Sequence, residues 1–375
     1  MREETQEWKH YGKSTWALTP GDAVVLGWGG GEDPEWNCVH ASTSYGAFGM
    51  IAADHAINVG VLNYAKGKDR VPRTSLHTRT KPPDKHTISF IVSDGDNVQW
   101  LLNNWSAEKG ANGWWASAAR GEVKMGWTLS PSLGALAPTA LDWILDGATE
   151  KDQIIAGPSG ASYVFFNDFP NKKTAKAFAK ESSFLMQRAG LRIVNVLNDE
   201  GYTETVEIML EEDDIDAVLF YEYNGYSELK GDISFVAGKP VIGGRFNLCS
   251  PDFYNVTTLV EALKDLDNLD DIYSSDGYSL ISVHAWSHTV EDVVNVAKQL
   301  ETDGRFDVVL PDELVSRVAT YVKHVSRDDN KKYESLSVRE ALLMATISAI
   351  AALVGLEFGC CRFRRSKKAY QMIPD

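Results

Sequence analysis

From His86 onward, short apolar runs alternate with amphipathic segments along the chain. The apolar runs have the composition of buried parallel strands, and strands are predicted at Thr87–Val92, Val123–Thr128, Gln153–Ala156, Arg192–Leu197, Ala217–Tyr221, Pro240–Gly243, Ser279–Val283 and Asp307–Leu310. Helices are predicted at Val98–Lys109, Ala135–Ala148, Thr174–Ala189, Tyr202–Glu211, Val256–Leu266, Thr289–Glu301 and Asp312–Val322. Eight such units within about 235 residues predict an α/β fold, a (β/α)8 TIM-like barrel. Because periodicity does not show closure, an open parallel α/β sheet is the alternative.

Composition shifts divide the chain around this barrel. Residues 70–85 are rich in proline and basic residues, which indicates a connector. The predicted organisation is an N-terminal segment and connector packing on the barrel (1–85), the barrel (86–325), a polar stalk (326–340), a transmembrane helix (341–361) and a cytoplasmic tail (362–375).

The membrane span is predicted from an apolar segment near the C-terminus. Ala341–Cys361 is about 20 residues long, enough to cross a bilayer core, and its one charge is Glu357. Basic residues follow at once, which places the tail in the cytoplasm and the barrel outside the cell or in a lumen. The alternative is a buried helix of the globular part. The first 16 residues contain no apolar signal segment, so we expect either a longer upstream portion or insertion by the tail.

The segment Ser93–Asn97 follows the first predicted barrel strand and carries two acids around a glycine. Ligands of α/β proteins collect at the carboxyl ends of strands, so Asp94 and Asp96 are candidate functional residues. The alternative is structural: Asp96 or Asn97 caps the next helix, and Asp94 turns the chain.

Polar and aromatic side chains follow the other predicted strands as well. Acids, amides, an arginine and aromatic rings on one rim suit a polyhydroxyl ligand, and the expected substrate-binding residues are Asn97, Tyr163, Asn198, Arg245, Asn247, His284 and Trp286. Glu222 follows the fifth strand and would face Asp94 and Asp96 across the mouth of an eight-stranded ring. Its alternative interpretation is a solvated surface acid.

Several other classes of function find little support. The net charge of −15 argues against nucleic-acid binding. His284 and His288 are four residues apart and permit a metal site, but spacing alone is weak evidence, and no phosphate loop, nucleophile elbow or dinucleotide fingerprint is present. We therefore expect no metal and no cofactor. Cys38 and Cys249 either pair or remain free, and Asn104 and Asn255 fit the N-glycosylation pattern.

Four segments resemble the GxGYxYP family of glycoside hydrolases. They are DQIIAGPSGASYVFF at Asp152–Phe166, SDGDNVQW at Ser93–Trp100, GWTLSPSL at Gly126–Leu133, and HAWSH in the seventh strand unit. Within the signature, Gly160 and Tyr163 agree, whereas Ser162 replaces the second glycine and two phenylalanines replace the final tyrosine and proline. The resemblance spans most of 21–322 and implies a carbohydrate-linked barrel.

The leading hypothesis is a membrane-anchored glycoside hydrolase that uses Asp94, Asp96 and Glu222 as its carboxylates and takes carbohydrate as its partner. The competing hypothesis is a non-catalytic glycan receptor that depends on Trp114, Trp115 or Trp286. A metal-dependent polysaccharide deacetylase is a third, weaker alternative, because the acid and histidine motifs of such enzymes lie closer together in sequence.

Overall fold

The computed structural model describes residues 24–27, 34–51, 59–68, 82–102, 105–106, 113–199, 201–222 and 231–322. The predicted stalk, membrane span and tail lie outside these residues, as does Asn104. Within the part of the chain that is described, no helix has the length and hydrophobicity to cross a membrane. The predicted domain boundaries therefore remain predictions.

Among the described residues, four short elements precede the barrel. They are β1 (Val24–Leu26), α1 (Pro34–Ser44), β2 (Phe48–Ile51) and α2 (Val59–Leu62). β1 and β2 pair in parallel as a separate two-stranded sheet. Of these elements, α1 reaches the candidate site.

The remaining strands are β3 (His86–Val92), β4 (Met125–Leu129), β5 (Asp152–Ala156), β6 (Ile193–Asn198), β7 (Ala217–Glu222), β8 (Ile233–Val236), β9 (Lys239–Leu248), β10 (Tyr278–Val283) and β11 (Phe306–Val308). Parallel pairing runs in the order β10-β3-β4-β5-β6-β7-β9, and β9 pairs with β10 again. This second pairing closes a barrel of seven parallel strands, so the open-sheet alternative is wrong. β8 pairs antiparallel with β9, outside the ring.

Helices follow most of the strands. They are α3 (Val98–Leu101), α4 (Leu133–Leu136), α5 (Pro138–Asp146), α6 (Lys172–Ala189), α7 (Glu204–Glu207), α8 (Val256–Lys264), α9 (Val290–Asp303) and α10 (Pro311–Tyr321). Short 3-10 turns lie at Phe166–Asp168, Ile208–Glu211 and Ser275–Gly277. The predicted helix at Val98–Lys109 is the clearest overestimate, because α3 ends at Leu101.

The predicted eighth strand does not join the ring. β3 pairs with β4 only at Ile91 and Val92, and β11 pairs with the first half of β3, from His86 to Ile88. Since β10 pairs with β3 from Thr87 to Val92, β11 and β4 share the other edge of β3. Of the eight strands predicted from the sequence, seven therefore form the ring of the barrel.

Side chains alternate between the barrel interior and the helix layer, as the two-residue period of a strand requires. Ile91, Ile155 and Leu219 belong to the interior cluster, which also includes Leu314 and Val318 of α10. At the amino-terminal end of β3, Arg317 of α10 donates to Thr87 Oγ1 at 2.9 Å. α10 therefore closes the amino-terminal end of the barrel, and ligand access is left to the carboxyl end.

The predicted sixth strand ended at Gly243, but β9 continues to Leu248. Two consecutive glycines interrupt the apolar pattern, which explains the early predicted end. A Cβ placed on Gly244 would overlap the ring of Tyr221, so the missing side chain makes room for that ring inside the barrel. As a consequence, Arg245 and Asn247 lie within a strand and not after it.

The glycine at position 244 gives a test of this packing. Gly244→Ala should lower the free energy of unfolding by about 1–3 kcal/mol, because the added methyl group forces the Tyr221 ring out of place. Gly60→Ala is the control, since a Cβ at Gly60 meets no atom within 4 Å. Chemical denaturation of both variants measures the difference, and equal stability would contradict the packing described here.

Candidate active site

The loop after β3 lies flat against the neighbouring strand β4. A Cβ on Gly95 would overlap the carbonyl group of Thr128, so only glycine fits at this position. Gly95 N donates to Thr128 Oγ1 at 3.1 Å, and Ser130 N donates to Gly95 O at 2.9 Å. Asp94 has a left-handed backbone, with φ of 69°. The loop is thereby held in one conformation at the carboxyl end of the barrel.

The helix cap in this segment is Asn97. Its side-chain oxygen accepts a hydrogen bond from Trp100 N at 3.1 Å, at the start of α3. The structural alternative therefore holds for Asn97, which was predicted to bind substrate. Neither Asp94 nor Asp96 acts as this cap.

A cavity of about 130 Å³ lies at the loop. It is lined by Glu35, Ser93, Asp94, Asp96, Pro158, Tyr163, Asn195, Leu197, Tyr221, Ser282, His284 and Trp286. Five of the residues predicted from the sequence meet here, namely Asp94, Asp96, Tyr163, His284 and Trp286. Loops and strands far apart in sequence thus build one polar cavity with an aromatic side.

Asp96 is the most deeply placed acid of the cavity, with 4% of its surface exposed. Among the described residues, no side chain donates a hydrogen bond to it. Burial raises the pKa of Asp96 well above its usual value, and the negative charges of Glu35 and Asp94 raise this pKa further. Asp96 is therefore a carboxyl group that holds its proton to higher pH than an ordinary aspartate.

Asp94 has a different environment, although it is only two residues away. One of its oxygens accepts a hydrogen bond from Trp286 Nε1 at 3.0 Å, and the other accepts from the Ser93 hydroxyl. The indole of Trp286 is 45% exposed and lies 4.9 Å from the ring of Trp100. Asp94 thus fixes an exposed aromatic ring at the edge of the cavity.

Glu222 does not line this cavity. It is the last residue of β7 and is 4% exposed, while its neighbour Tyr221 belongs to the interior cluster and lines the cavity. Because successive side chains of a strand point to opposite faces, Glu222 points away from the barrel interior. The expectation that Glu222 faces Asp94 and Asp96 across the mouth is corrected accordingly.

Three further predicted residues lie elsewhere. Arg245 donates to the carbonyl oxygens of Tyr278 and Ser275, at 3.0 and 2.8 Å, near the beginning of β10 and so far from its carboxyl end. Asn198 is buried and donates to Gly201 O at 3.0 Å. Asn247 is buried beside Ser282 in the β9–β10 pairing. None of the three lines the cavity.

The second histidine of the predicted pair is held by protein groups. His288 Nε2 accepts from Ser250 N at 3.2 Å, and its Nδ1 lies 3.1 Å from Asp292 Oδ2. Across the described ranges, no group of three or more His, Cys, Asp and Glu residues could hold a metal ion. Cys38 and Cys249 are both buried, and no disulfide joins them.

The tryptophans divide into core and surface. Trp114 and Trp115 are 1% and 3% exposed and pack around Trp127, so they offer no face to a ligand. Trp286 is the exposed member of the three rings on which the receptor hypothesis relied.

Sequence reasoning missed several residues that line the cavity. Asn195, Leu197, Tyr221 and Ser282 lie within strands, whereas the predicted site residues were those that follow strand ends. The two-residue alternation of those strands was the signal that could have identified them. Glu35 comes from α1, and no pattern in the sequence connects that helix with the barrel.

Comparison with known proteins decides the family. The family described as "GxGYxYP putative glycoside hydrolase C-terminal domain" matches residues 84–319. The chain belongs to this family. The resemblance inferred from the sequence motifs is thereby confirmed. No curated protein sequence matches the chain.

Solved structures with similar folds include a putative hydrolase from Bacteroides thetaiotaomicron VPI-5482, at a TM-score of 0.73 and 27% identity. The alignment covers 84% of this chain and 60% of that structure. This member of the GxGYxYP family therefore spans less than two thirds of the length of the Bacteroides protein. A probable polysaccharide deacetylase from Pseudomonas aeruginosa PAO1 has a TM-score of 0.40 at 11% identity, with 66% and 94% of the two chains covered. Puue allantoinase has a TM-score of 0.43 at 12% identity, with 68% and 99% covered.

The buried carboxyl of Asp96 predicts a pH-dependent stability. In the folded state its pKa is raised above 3.8, the ordinary value of an aspartate. At pH values above 3.8, the folded state therefore binds more protons than the unfolded state. Stability is then lost as pH rises, and Asp96→Asn removes this loss. Chemical denaturation at about pH 4 and about pH 8 should show the variant gaining stability relative to wild type at the higher pH. A constant difference would mean that Asp96 is ionised in the folded protein.

Proposed function

We propose that this member of the GxGYxYP family hydrolyses glycosidic bonds in the cavity at the carboxyl end of its barrel, with Asp96 as the proton donor. The observation that carries the proposal is the contrast between two acids of one loop. Asp96 is buried and its pKa is raised by that burial, whereas Asp94 accepts hydrogen bonds beside an exposed indole. Glycosidases depend on such a division, because the leaving oxygen must be protonated as its bond to the sugar breaks.

We expect Trp286 and Asp94 to interact with the sugar ring itself. Trp286 offers an exposed face of the kind on which pyranose rings stack, and its indole N–H is fixed by Asp94. The carboxylate of Asp94 also stabilises the positive charge that develops on the sugar ring in the transition state. The family match supports carbohydrate as the substrate class, and the similarity to a putative hydrolase from Bacteroides thetaiotaomicron supports hydrolysis as the type of reaction.

Removal of the proton donor should have an effect that depends on the leaving group. Asp96→Ala should lower kcat by about 10²–10⁴-fold on natural oligosaccharides, whose leaving alcohol needs a proton. The same variant should keep most of its rate on aryl glycosides with an acidic phenol as leaving group, because those phenols leave without protonation. Steady-state kinetics on both substrate classes measures this difference.

Glu222→Gln is the comparison variant, and we expect it to keep the wild-type rate because Glu222 does not line the cavity. If Asp96→Ala lowers kcat equally on both substrate classes, another group donates the proton to the leaving oxygen. Binding of glycans by wild type without any turnover would support the receptor alternative.

We also propose that the protein is anchored by the apolar segment Ala341–Cys361, with the barrel outside the cell or in a lumen. The support is the sequence pattern of that segment and the basic residues after it. Asn255 would then meet a glycosylating compartment, and it is exposed at the start of α8.

Expression of the chain behind a cleavable signal in a eukaryotic cell tests this topology. Protease added to intact cells should digest the barrel, and a glycan-removing enzyme should increase the electrophoretic mobility of wild type. Asn255→Gln should reduce that change. A barrel that stays protected and unglycosylated would contradict the orientation, and release without detergent would contradict the anchor.

A further inference from the structure

Hydrolysis of a glycosidic bond uses two carboxyl groups on either side of the bond, and the proposed function assigns only the proton donor. Asp94 is poorly suited to be the second group. It lies two residues from Asp96 in the same loop, and both of its oxygens accept hydrogen bonds from Ser93 and Trp286. The second carboxyl should come from the other side of the cavity.

Helix α1 is fixed to that other side. Trp36 Nε1 donates to Asp199 Oδ1 at 2.7 Å, directly after β6, and His40 Nδ1 lies 2.8 Å from Asp168 Oδ2 in the loop after β5. In the order of the ring, β6 is three strands from β3, the greatest separation that seven strands allow. The helix therefore docks opposite the loop that carries Asp96.

An apolar contact holds the same helix in place. Val39 is fully buried in a cluster with Tyr163 and Phe165, which are two of the three aromatic residues of the family signature segment. The rings of Trp36 and His40 stack with their centroids 5.0 Å apart, one turn of the helix from each other. Polar and apolar contacts together place the first turn of α1 at the mouth of the barrel.

Glu35 lies in this first turn and lines the same cavity as Asp96. Because this cavity has a volume of only about 130 Å³, the two acids that line it lie close to each other. Their electrostatic contact agrees with this placement, since the charge of Glu35 raises the pKa of Asp96 more than the charge of Asp94 does.

We propose that Glu35 is the second catalytic carboxyl group and that α1, which lies outside the family match of 84–319, is an integral part of the active site. This inference rests on the proposed hydrolysis. In the reaction, Asp96 gives its proton to the leaving oxygen as the bond from that oxygen to the anomeric carbon breaks. A water molecule forms the new bond to the anomeric carbon, and Glu35 accepts the proton that this water loses.

Chemical rescue separates a general base from a structural residue. Glu35→Ala in the full chain should lose at least about 10²-fold in kcat on both natural and aryl glycosides, because the attack by water is impaired for each. Sodium azide, an anion that attacks without giving up a proton, should restore the rate on aryl glycosides and yield a glycosyl azide. Asp96→Ala should show the opposite pattern, with a strong dependence on the leaving group.

Glu150→Gln is the matched control for removal of one negative charge, because Glu150 is exposed and does not line the cavity. A wild-type rate in Glu35→Ala, or a loss that azide does not restore in a variant with wild-type melting temperature, would overturn the assignment. Glu35→Gln, with the same side-chain size, covers the case in which the alanine variant does not fold.

A readout without turnover distinguishes failure of this inference from failure of the proposed function. The pKa of Asp96, followed by the carboxyl ¹³C resonance, should fall in Glu35→Gln and stay unchanged in Glu150→Gln. An unchanged pKa of Asp96 in Glu35→Gln would show that Glu35 does not lie beside Asp96, whatever substrate the protein hydrolyses. A lowered pKa together with a wild type that cleaves no glycoside would keep the pairing of the two acids and contradict the hydrolysis.

Discussion

The close packing of Gly95 on the carbonyl of Thr128 is the constraint on which the candidate site depends. Since no side chain fits there, the loop after β3 lies flat on β4, and its two acids leave it in different directions. Asp94 reaches the indole of Trp286, and Asp96 enters the buried side of the cavity. One backbone contact therefore gives two aspartates of the same loop opposite chemical environments, which is what acid catalysis at a glycosidic bond requires.

Much of the fold could be predicted from the alternation of strands and helices, because parallel strands buried on both faces have a distinctive apolar composition. The number of strands in the ring could not be predicted in this way. β11 has the composition of a barrel strand, and its exclusion follows from the partial pairing of β3 with β4. The end of β9 was also missed, because two consecutive glycines, Gly243 and Gly244, are typical of the end of a strand. Here the second glycine makes room for Tyr221.

The site was predictable where it follows strand ends and hidden where it does not. Asp94, Asp96, His284 and Trp286 come directly after strands, so the rule for α/β proteins identified them. Residues within strands, such as Asn195, were missed because the two-residue alternation of the strand marks them, and not a polar strand end. Glu35 required the tertiary docking of α1, which is carried by single contacts such as Trp36 with Asp199 and by the burial of Val39.

We propose that the β3 loop and α1 act together, and that the cavity between them binds the sugar at its scissile bond. A crystal structure of Asp96→Asn with a bound oligosaccharide tests this claim most directly. We expect a sugar ring on the face of Trp286, with the glycosidic oxygen within about 2.6–3.2 Å of the residue 96 side chain and Glu35 on the opposite side of the ring. An oligosaccharide bound elsewhere, for example in the cavity beside Lys68 and Arg188, with no sugar between residue 96 and Glu35, would contradict it.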